Sequence, residues 1–247
     1  MRCDLLFDLD QTLLDFHASE RLALKAVMEA ADLTFSEERY AFFKKANKAL
    51  WLDFEKGLIS KPGLFKERFR RLFEKCGCYT DGIDLMQINS DFIDIMSRNG
   101  VLMEGVPEFL QKLETGLPDA RLYIVTNGAE RNAMGRINST GLSEHLDGVF
   151  VSETIGTAKP AREYFEQVIK AIGDPRECCI VIGDSLTSDM LGAQNAGLTS
   201  CWFMPQGDIP EEVKKYDIDR TASSFGELYE VLKEFYDKLS AGERDLT

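Results

Sequence analysis

Basic residues are in short supply. The 247 residues carry 29 Lys and Arg against 42 Asp and Glu, a formal net charge of −13. Such a chain repels polyanions, so binding to a nucleic-acid polymer or to an anionic membrane is not expected. A small phosphate ligand stays admissible, because a local site can differ in sign from the whole. Histidine is nearly absent, with His17 and His145 alone. Cysteine is sparse: the six, at 3, 76, 78, 178, 179 and 201, form no Cys-x-x-Cys pair. A zinc site and a disulfide framework are therefore disfavoured in a chain this long, and reduced thiols in a cytoplasmic setting are the expectation. No apolar run approaches the roughly 18 residues of a membrane span. The first apolar run is broken by Asp within a few residues and does not read as a signal peptide.

What is present is enough to build a core. Hydrophobic residues make up 44% of the chain, and its length suits one large domain or two small ones. Residues 3–7 form a short apolar run ending in acids, the pattern of a buried strand with function at its C-terminal end. From about 17 to 98 the texture turns helical. Leu22, Ala26 and Ala30 recur at helical spacing, with Ala23 and Val27 beside them, as do Phe42 to Leu50, Phe65 to Cys76 and Ile83 to Ile95, which predicts four helices. Ser60 before Pro62 reads as a helix start, and Gly77 and Gly100 as stops.

After Gly100, short β runs alternate with helical patterns. Strands are predicted at 121–126, 148–151, 178–183 and 199–203. Helices are predicted at 106–114, 130–139, 161–172, 188–196 and 224–239. Such alternation implies βαβ units and a parallel sheet with helices on both faces. Strand 3–7 joins that sheet most simply if the helical block is an insertion. The expectation is an α/β fold: a Rossmann-like three-layer core with a parallel sheet, built from residues 1–14 and 101–247, plus an inserted helical-bundle cap over 15–100. The tail from Ser240 lacks apolar periodicity and is expected to be disordered.

Four polar clusters end these strands or open the next helix: Asp8-Leu9-Asp10-Gln11-Thr12, Thr126-Asn127-Gly128, Lys159-Pro160, and Gly183-Asp184 through Asp189. In an open α/β sheet, ligands bind beyond the carboxyl ends of the strands. The clusters should therefore converge on one crevice. Asp8, Asp10, Asp184 and Asp189 would then meet, and like charges ~4 Å apart cost about 4 kcal/mol per pair at an effective dielectric near 20. Such a group needs a cation. Oxygen-only ligation selects a hard ion, Mg²⁺ rather than Zn²⁺. With Lys159 as a fixed positive charge and Thr126 and Asn127 as neutral donors, the set suits a phosphoryl group. A carboxylate can itself be the nucleophile and form an aspartyl-phosphate.

These four clusters, in this order, resemble the motifs of the haloacid dehalogenase superfamily, in the branch with a helical cap inserted after the first strand. The resemblance covers the whole chain. It implies that Asp8 attacks phosphorus, that Asp10 protonates the leaving alcohol and then activates water, and that Thr126 and Lys159 hold the phosphoryl oxygens, beside Asn127 as a further substrate-binding donor. It also implies that Mg²⁺ is held by Asp8, the backbone carbonyl of Asp10 and the acids of the fourth cluster, Asp184 as a direct ligand and Asp189 directly, through water or by orienting Lys159. Dehalogenases of this superfamily lack the second acid of the first motif, so Asp10 favours phosphoryl transfer to water.

The segments Thr12–Phe16, Gly183–Met190 and Cys201-Trp202, with Leu50-Trp51 and Arg68-Phe69 in the cap, resemble the nucleoside 5′-monophosphatase subgroup (pyrimidine 5′-nucleotidases). The implied reaction is Mg²⁺-dependent hydrolysis of phosphate monoesters, nucleoside 5′-monophosphates first. A sugar-phosphate or phosphoglycolate phosphatase, or a phosphomutase, on the same core is the alternative. The expected partner is a small-molecule phosphate monoester, and the expected assembly a monomer or weak homodimer. Phe16 either lines the substrate crevice or packs at the cap hinge. Trp51, Glu55 and Arg68 are cap-pocket candidates, although Trp51 reads more readily as core and Arg68 as part of a solvated face.

Overall fold

A computed structural model describes residues 2–55, 57–205 and 211–242, and the side chain of Glu55 falls outside that description. The chain divides into two compact units, one of Met1–Phe16 with Gly100–Thr247 and one of His17–Asn99.

The larger unit is built on a six-stranded sheet: β1 (Cys3–Phe7), β2 (Ala120–Thr126), β3 (Gly148–Val151), β4 (Cys179–Gly183), β5 (Thr199–Phe203) and β6 (Arg220–Ala222). The order is β3-β2-β1-β4-β5-β6, and every pairing is parallel. The strands alternate faces with period two, as a sheet covered on both sides requires. Leu5, Phe7, Ile124, Ile180 and Ile182 pack with α5 (Val106–Gly116), α6 (Glu130–Ser139) and α10 (Phe225–Ala241). The short α7 (Ser152–Ile155) follows β3, and Leu6, Val125, Cys179 and Val181 pack with α8 (Arg162–Ile172) and α9 (Leu191–Ala196). This is the three-layer α/β arrangement. Cys178 and Cys179 fall on opposite sides of it. Strand β6, three residues long, was not foreseen. Nor was the π-helical turn Leu186–Met190, which replaces the start of the helix expected at 188. Ser240 and Ala241, expected in a disordered tail, close α10 instead. Residues 243–247 lie outside the described residues.

The smaller unit contains α1 (Phe16–Ala30, whose first residue belongs to the larger unit), α2 (Glu37–Glu55), α3 (Lys61–Lys75) and α4 (Leu85–Arg98). Ser60 caps α3, accepting from the Gly63 N–H at 3.2 Å. Asp84 caps α4, accepting from Met86 and Gln87 N–H at 3.0 Å. Both use a short side chain to satisfy orphan donors of a first turn. The core is an aromatic triad, Phe43, Phe69 and Phe92, with ring centroids 5.4–5.8 Å apart. Each such buried ring contributes roughly 1.5–3 kcal/mol.

Two expectations fail here. The α1 stripe is centred one position off: Leu22 is 43% exposed, while Ala23 and Val27 are buried, together with Leu24 and Met28. Arg68 is not on a solvated face but is buried, 3% exposed. Its position i+4 from Leu64 and i−4 from Leu72 puts it on the inward stripe of α3. Among the described residues, no helix is long and apolar enough to cross a membrane.

Candidate active site

Four strand-end or helix-opening segments of the larger unit carry the four polar clusters. Asp8 follows β1, and its N–H still bonds to the Ile182 carbonyl at 2.7 Å, so the residue is fixed as an extension of the sheet. The chain then turns through Gln11, which adopts φ 62°, and closes by bonds from Leu13 and Leu14 N–H to the Leu9 carbonyl. That turn brings Asp10 back beside the sheet end.

Lys159 lies at the centre of the site. Its ammonium donates to Asp8 Oδ1 at 2.6 Å, Asp189 Oδ1 at 2.6 Å and the Val125 carbonyl at 2.7 Å. Three donors meet three acceptors, and the group is completely paired although buried. Burial alone would pull its pKa down, but Asp189 and Asp8 outweigh that and raise it. Asn127 holds the segment from the other side. Its amide donates to the Lys159 carbonyl at 2.8 Å and accepts from the Lys159 N–H at 2.9 Å. Thr126 ends β2, buried, and its hydroxyl oxygen accepts from the Gly128 N–H at 3.0 Å.

Asp189 is carried by the π-helical turn. Its Oδ2 accepts from the Ser185 N–H at 3.0 Å, and the Ser185 hydroxyl caps the turn by accepting from Ser188 N–H. A Cβ at position 183 would lie 2.3 Å from Asp189 Oδ2, so only glycine fits under this carboxylate. The Trp202 indole N–H donates to the Asp184 carbonyl at 2.8 Å and so ties the turn to β5.

The carboxylates of Asp8, Asp184 and Asp189 each offer an oxygen, all within 4.8 Å of one another. Burial, followed by repulsion from Asp189, pushes Asp184 up to about 7. Burial also raises Asp8 well above the usual carboxylate range; Lys159 opposes this, while Asp189, Asp184 and Asp10 add to it. Asp10 stands apart from the trio. Both of its oxygens accept from the buried guanidinium of Arg136, one of them at 3.0 Å. With all four acids ionised, four carboxylates face two cations and leave a formal charge of −2. A hard divalent ion with oxygen ligands fits that deficit and that donor set. The same arrangement of fixed cation, small donors and acids suits a phosphoryl group.

The structure thus places Asp8, Asp184, Asp189 and Lys159 in direct contact or within ligand distance. Asp10, Thr126 and Asn127 border them. Phe16 sits half-buried with its ring 5.3 Å from the Arg136 guanidinium. Arg136, Ser185 and Trp202 had no assigned place in the sequence. Ser185 and Trp202 lie in segments that carry the nucleotidase resemblance, without a role of their own, and Arg136 shows only as a cation on the inward face of a helix beside Ala133 and Ile137.

Residues 5–197 match the family model of the haloacid dehalogenase-like hydrolases. The chain is similar to pyrimidine 5′-nucleotidase PynA of Streptococcus pneumoniae, 37% identical over 202 residues covering 81% of this chain and 83% of that one. It is also similar to pyrimidine 5′-nucleotidase YjjG of Escherichia coli, 29% identical over 83% of this chain and 89% of that one. Among solved structures it resembles the HAD-hydrolase YfnB of Bacillus subtilis bound to magnesium, with a TM-score of 0.83, 32% identity, and coverage of 94% of this chain and 98% of that one.

Proposed function

The chain belongs to the haloacid dehalogenase-like hydrolases, and on that premise we propose that it is a phosphatase that hydrolyses nucleoside 5′-monophosphates through an aspartyl-phosphate on Asp8. The observation that carries this is the Asp8–Lys159–Asp189 contact, in which a buried ammonium bridges two acids beside a third, Asp184. The similarity to two pyrimidine 5′-nucleotidases supports the substrate class.

An Asp8 oxygen attacks phosphorus, and the bond from phosphorus to the ester oxygen breaks. Asp10, entering the cycle as the carboxylic acid, delivers its proton to the departing oxygen and is left as a carboxylate. In the second half, Asp10 takes a proton from water, the water oxygen attacks phosphorus, and the Asp8–phosphorus link breaks to free orthophosphate and Asp8. Lys159 neutralises Asp8 and the incoming phosphoryl oxygens, with no reorganisation because Asn127 and Val125 already fix it. The Thr126 hydroxyl donates to a phosphoryl oxygen. Mg²⁺, held by Asp8, the Asp10 main-chain carbonyl, Asp184 and Asp189, would supply two further positive charges against the phosphoryl group. The proposed boundaries of the cap are 15–100, and base or sugar recognition is assigned to it.

The test is orthophosphate release from a panel of nucleoside 5′-monophosphates, sugar phosphates and phosphoglycolate, with Mg²⁺ and with EDTA. Preference for nucleotides, lost in EDTA, is expected. Preference for sugar phosphates would overturn the substrate class and keep the chemistry. No release from any ester by the folded, Mg²⁺-supplied protein would overturn the phosphatase reading.

A further inference from the structure

The Arg136 guanidinium is the largest fully buried side chain of the molecule among the described residues. A buried cation is costly unless it is paired. Its partner is Asp10, which it grips through both terminal nitrogens on both carboxylate oxygens. Among the described residues its Nε has no partner. So this arginine is not spread over a structural network; its hydrogen-bonding is spent on one carboxylate.

The base from which it reaches is also fixed. The Arg136 carbonyl accepts from the Thr140 N–H at 3.2 Å, the Thr140 hydroxyl at 2.9 Å and the Ser139 hydroxyl at 3.1 Å. Gly100 packs against it so closely that a Cβ there would lie 2.6 Å from this carbonyl oxygen. The Phe16 ring centroid lies 5.3 Å from the guanidinium carbon. An arginine fork is planar and rigid, and it matches a carboxylate in one orientation. The Asp10 side chain is 29% exposed, so the fork rather than close packing holds it. Its Oδ2 lies 4.0 Å from where a Cβ of Gly128 would be, so the fork holds it against the Thr126-Asn127-Gly128 turn.

We infer that Arg136 is a positioning residue, a fixed fork that aims the Asp10 carboxylate at the reacting oxygen. The inference rests on the role of Asp10 in the proposed phosphatase. Arg136 transfers no proton and bonds to no phosphoryl oxygen in this reading; its contact is with the Asp10 carboxylate. It acts by denying Asp10 the other rotamers, which a proton carrier must not visit if the oxygen it serves is ~3 Å away.

The experiment is steady-state phosphate release by the full chain with Mg²⁺, for wild type, Arg136→Gln, Arg136→Lys, Asp10→Asn and the Asp10→Asn/Arg136→Gln double variant, each checked for folding by its thermal melt. Arg136→Gln should lower kcat on the order of 100-fold, the scale of a misplaced catalytic group, with KM little changed. Arg136→Lys, which keeps the charge but not the fork, should recover part of that loss. In the Asp10→Asn background, Arg136→Gln should cost nothing further. Losses that multiply in the double variant, or an unchanged kcat in Arg136→Gln, would overturn the positioning role. If Arg136→Gln does not fold, the Arg136→Lys variant decides, and a wild-type kcat there overturns the fork. An inactive wild type would instead bring down the phosphatase reading, and this one with it.

Discussion

Lys159 and Arg68 are both buried cations, yet burial leaves them in opposite conditions. Lys159 donates to two carboxylates and a carbonyl, and its pKa is raised because Asp189 and Asp8 outweigh desolvation. Arg68 donates to the neutral amide of Asn89 and lies over the rings of Phe65, Phe69 and Phe92 at 4.8–5.2 Å. Burial pulls it down to about 10, and Glu20 only partly offsets this. The difference separates a site from a core. In the helical unit a cation is accommodated by neutral groups and aromatic faces, which is packing. At the sheet end the acids outnumber the cations, and the surplus is the mark of a place made for something positive.

The largest effect should come from breaking the richer of the two sets. Lys159→Ala leaves Asp8 and Asp189 without their cation. It is expected to cost about 3–5 kcal/mol of stability and to lower kcat on the order of 100-fold or more. Urea unfolding and phosphate-release rates measure both, and orthophosphate inhibition as strong as in the wild type would speak against the Lys159 role.

Next comes the charge deficit itself. Asp184 titrates at about 7 when folded, above its unfolded value of roughly 3.9. The folded protein then holds the extra proton, so this contribution to stability is complete below the unfolded value and is lost as pH rises through about 7. In EDTA the melting temperature should fall across that window. Mg²⁺ should restore it more at pH 8 than at pH 5, since protons compete for the same oxygens. A Mg²⁺ shift that is equal at the two pH values would contradict the assignment of Asp184.

The smallest effect is expected in the helical unit. Arg68→Met replaces an expensive buried charge with an apolar chain of similar volume, and the stability should change by no more than about 1 kcal/mol or should rise. A loss of several kcal/mol in urea unfolding would show that Arg68 is an ion-pair partner, and would erase the contrast drawn with Lys159.

Much of this was legible in the chain. Strands β1 to β5 announce themselves as short apolar runs, three of which run into Asp8, Thr126 and Gly183, and the polar clusters follow from strand ends facing one way. Ser60 could be read as a cap from Pro62 two residues on. Other features depend on partners far along the chain. Arg136 meets Asp10 across 126 positions, and no local pattern announces that. Arg68 is surrounded in sequence by Lys66, Glu67, Arg70 and Arg71, which hides that its own spacing follows Leu64 and Leu72. In α1, Leu22 lies one helical position from the true inward face, because Ala, Leu and Val there leave two stripes almost equally apolar. Strand β6 has only Arg220, Thr221 and Ala222, and it exists because β5 offers it an edge.

The most direct test of the central claim is to trap the phosphorylated enzyme. The Mg²⁺-loaded protein would be mixed with a nucleoside 5′-monophosphate, quenched in acid during turnover, digested, and the peptides mapped by mass spectrometry. The account predicts a phosphoryl group on Asp8 of the wild type and none in Asp8→Asn, which should be folded and inactive. Turnover by Asp8→Asn at the wild-type rate, or a phosphoryl group carried on a different residue, would contradict it.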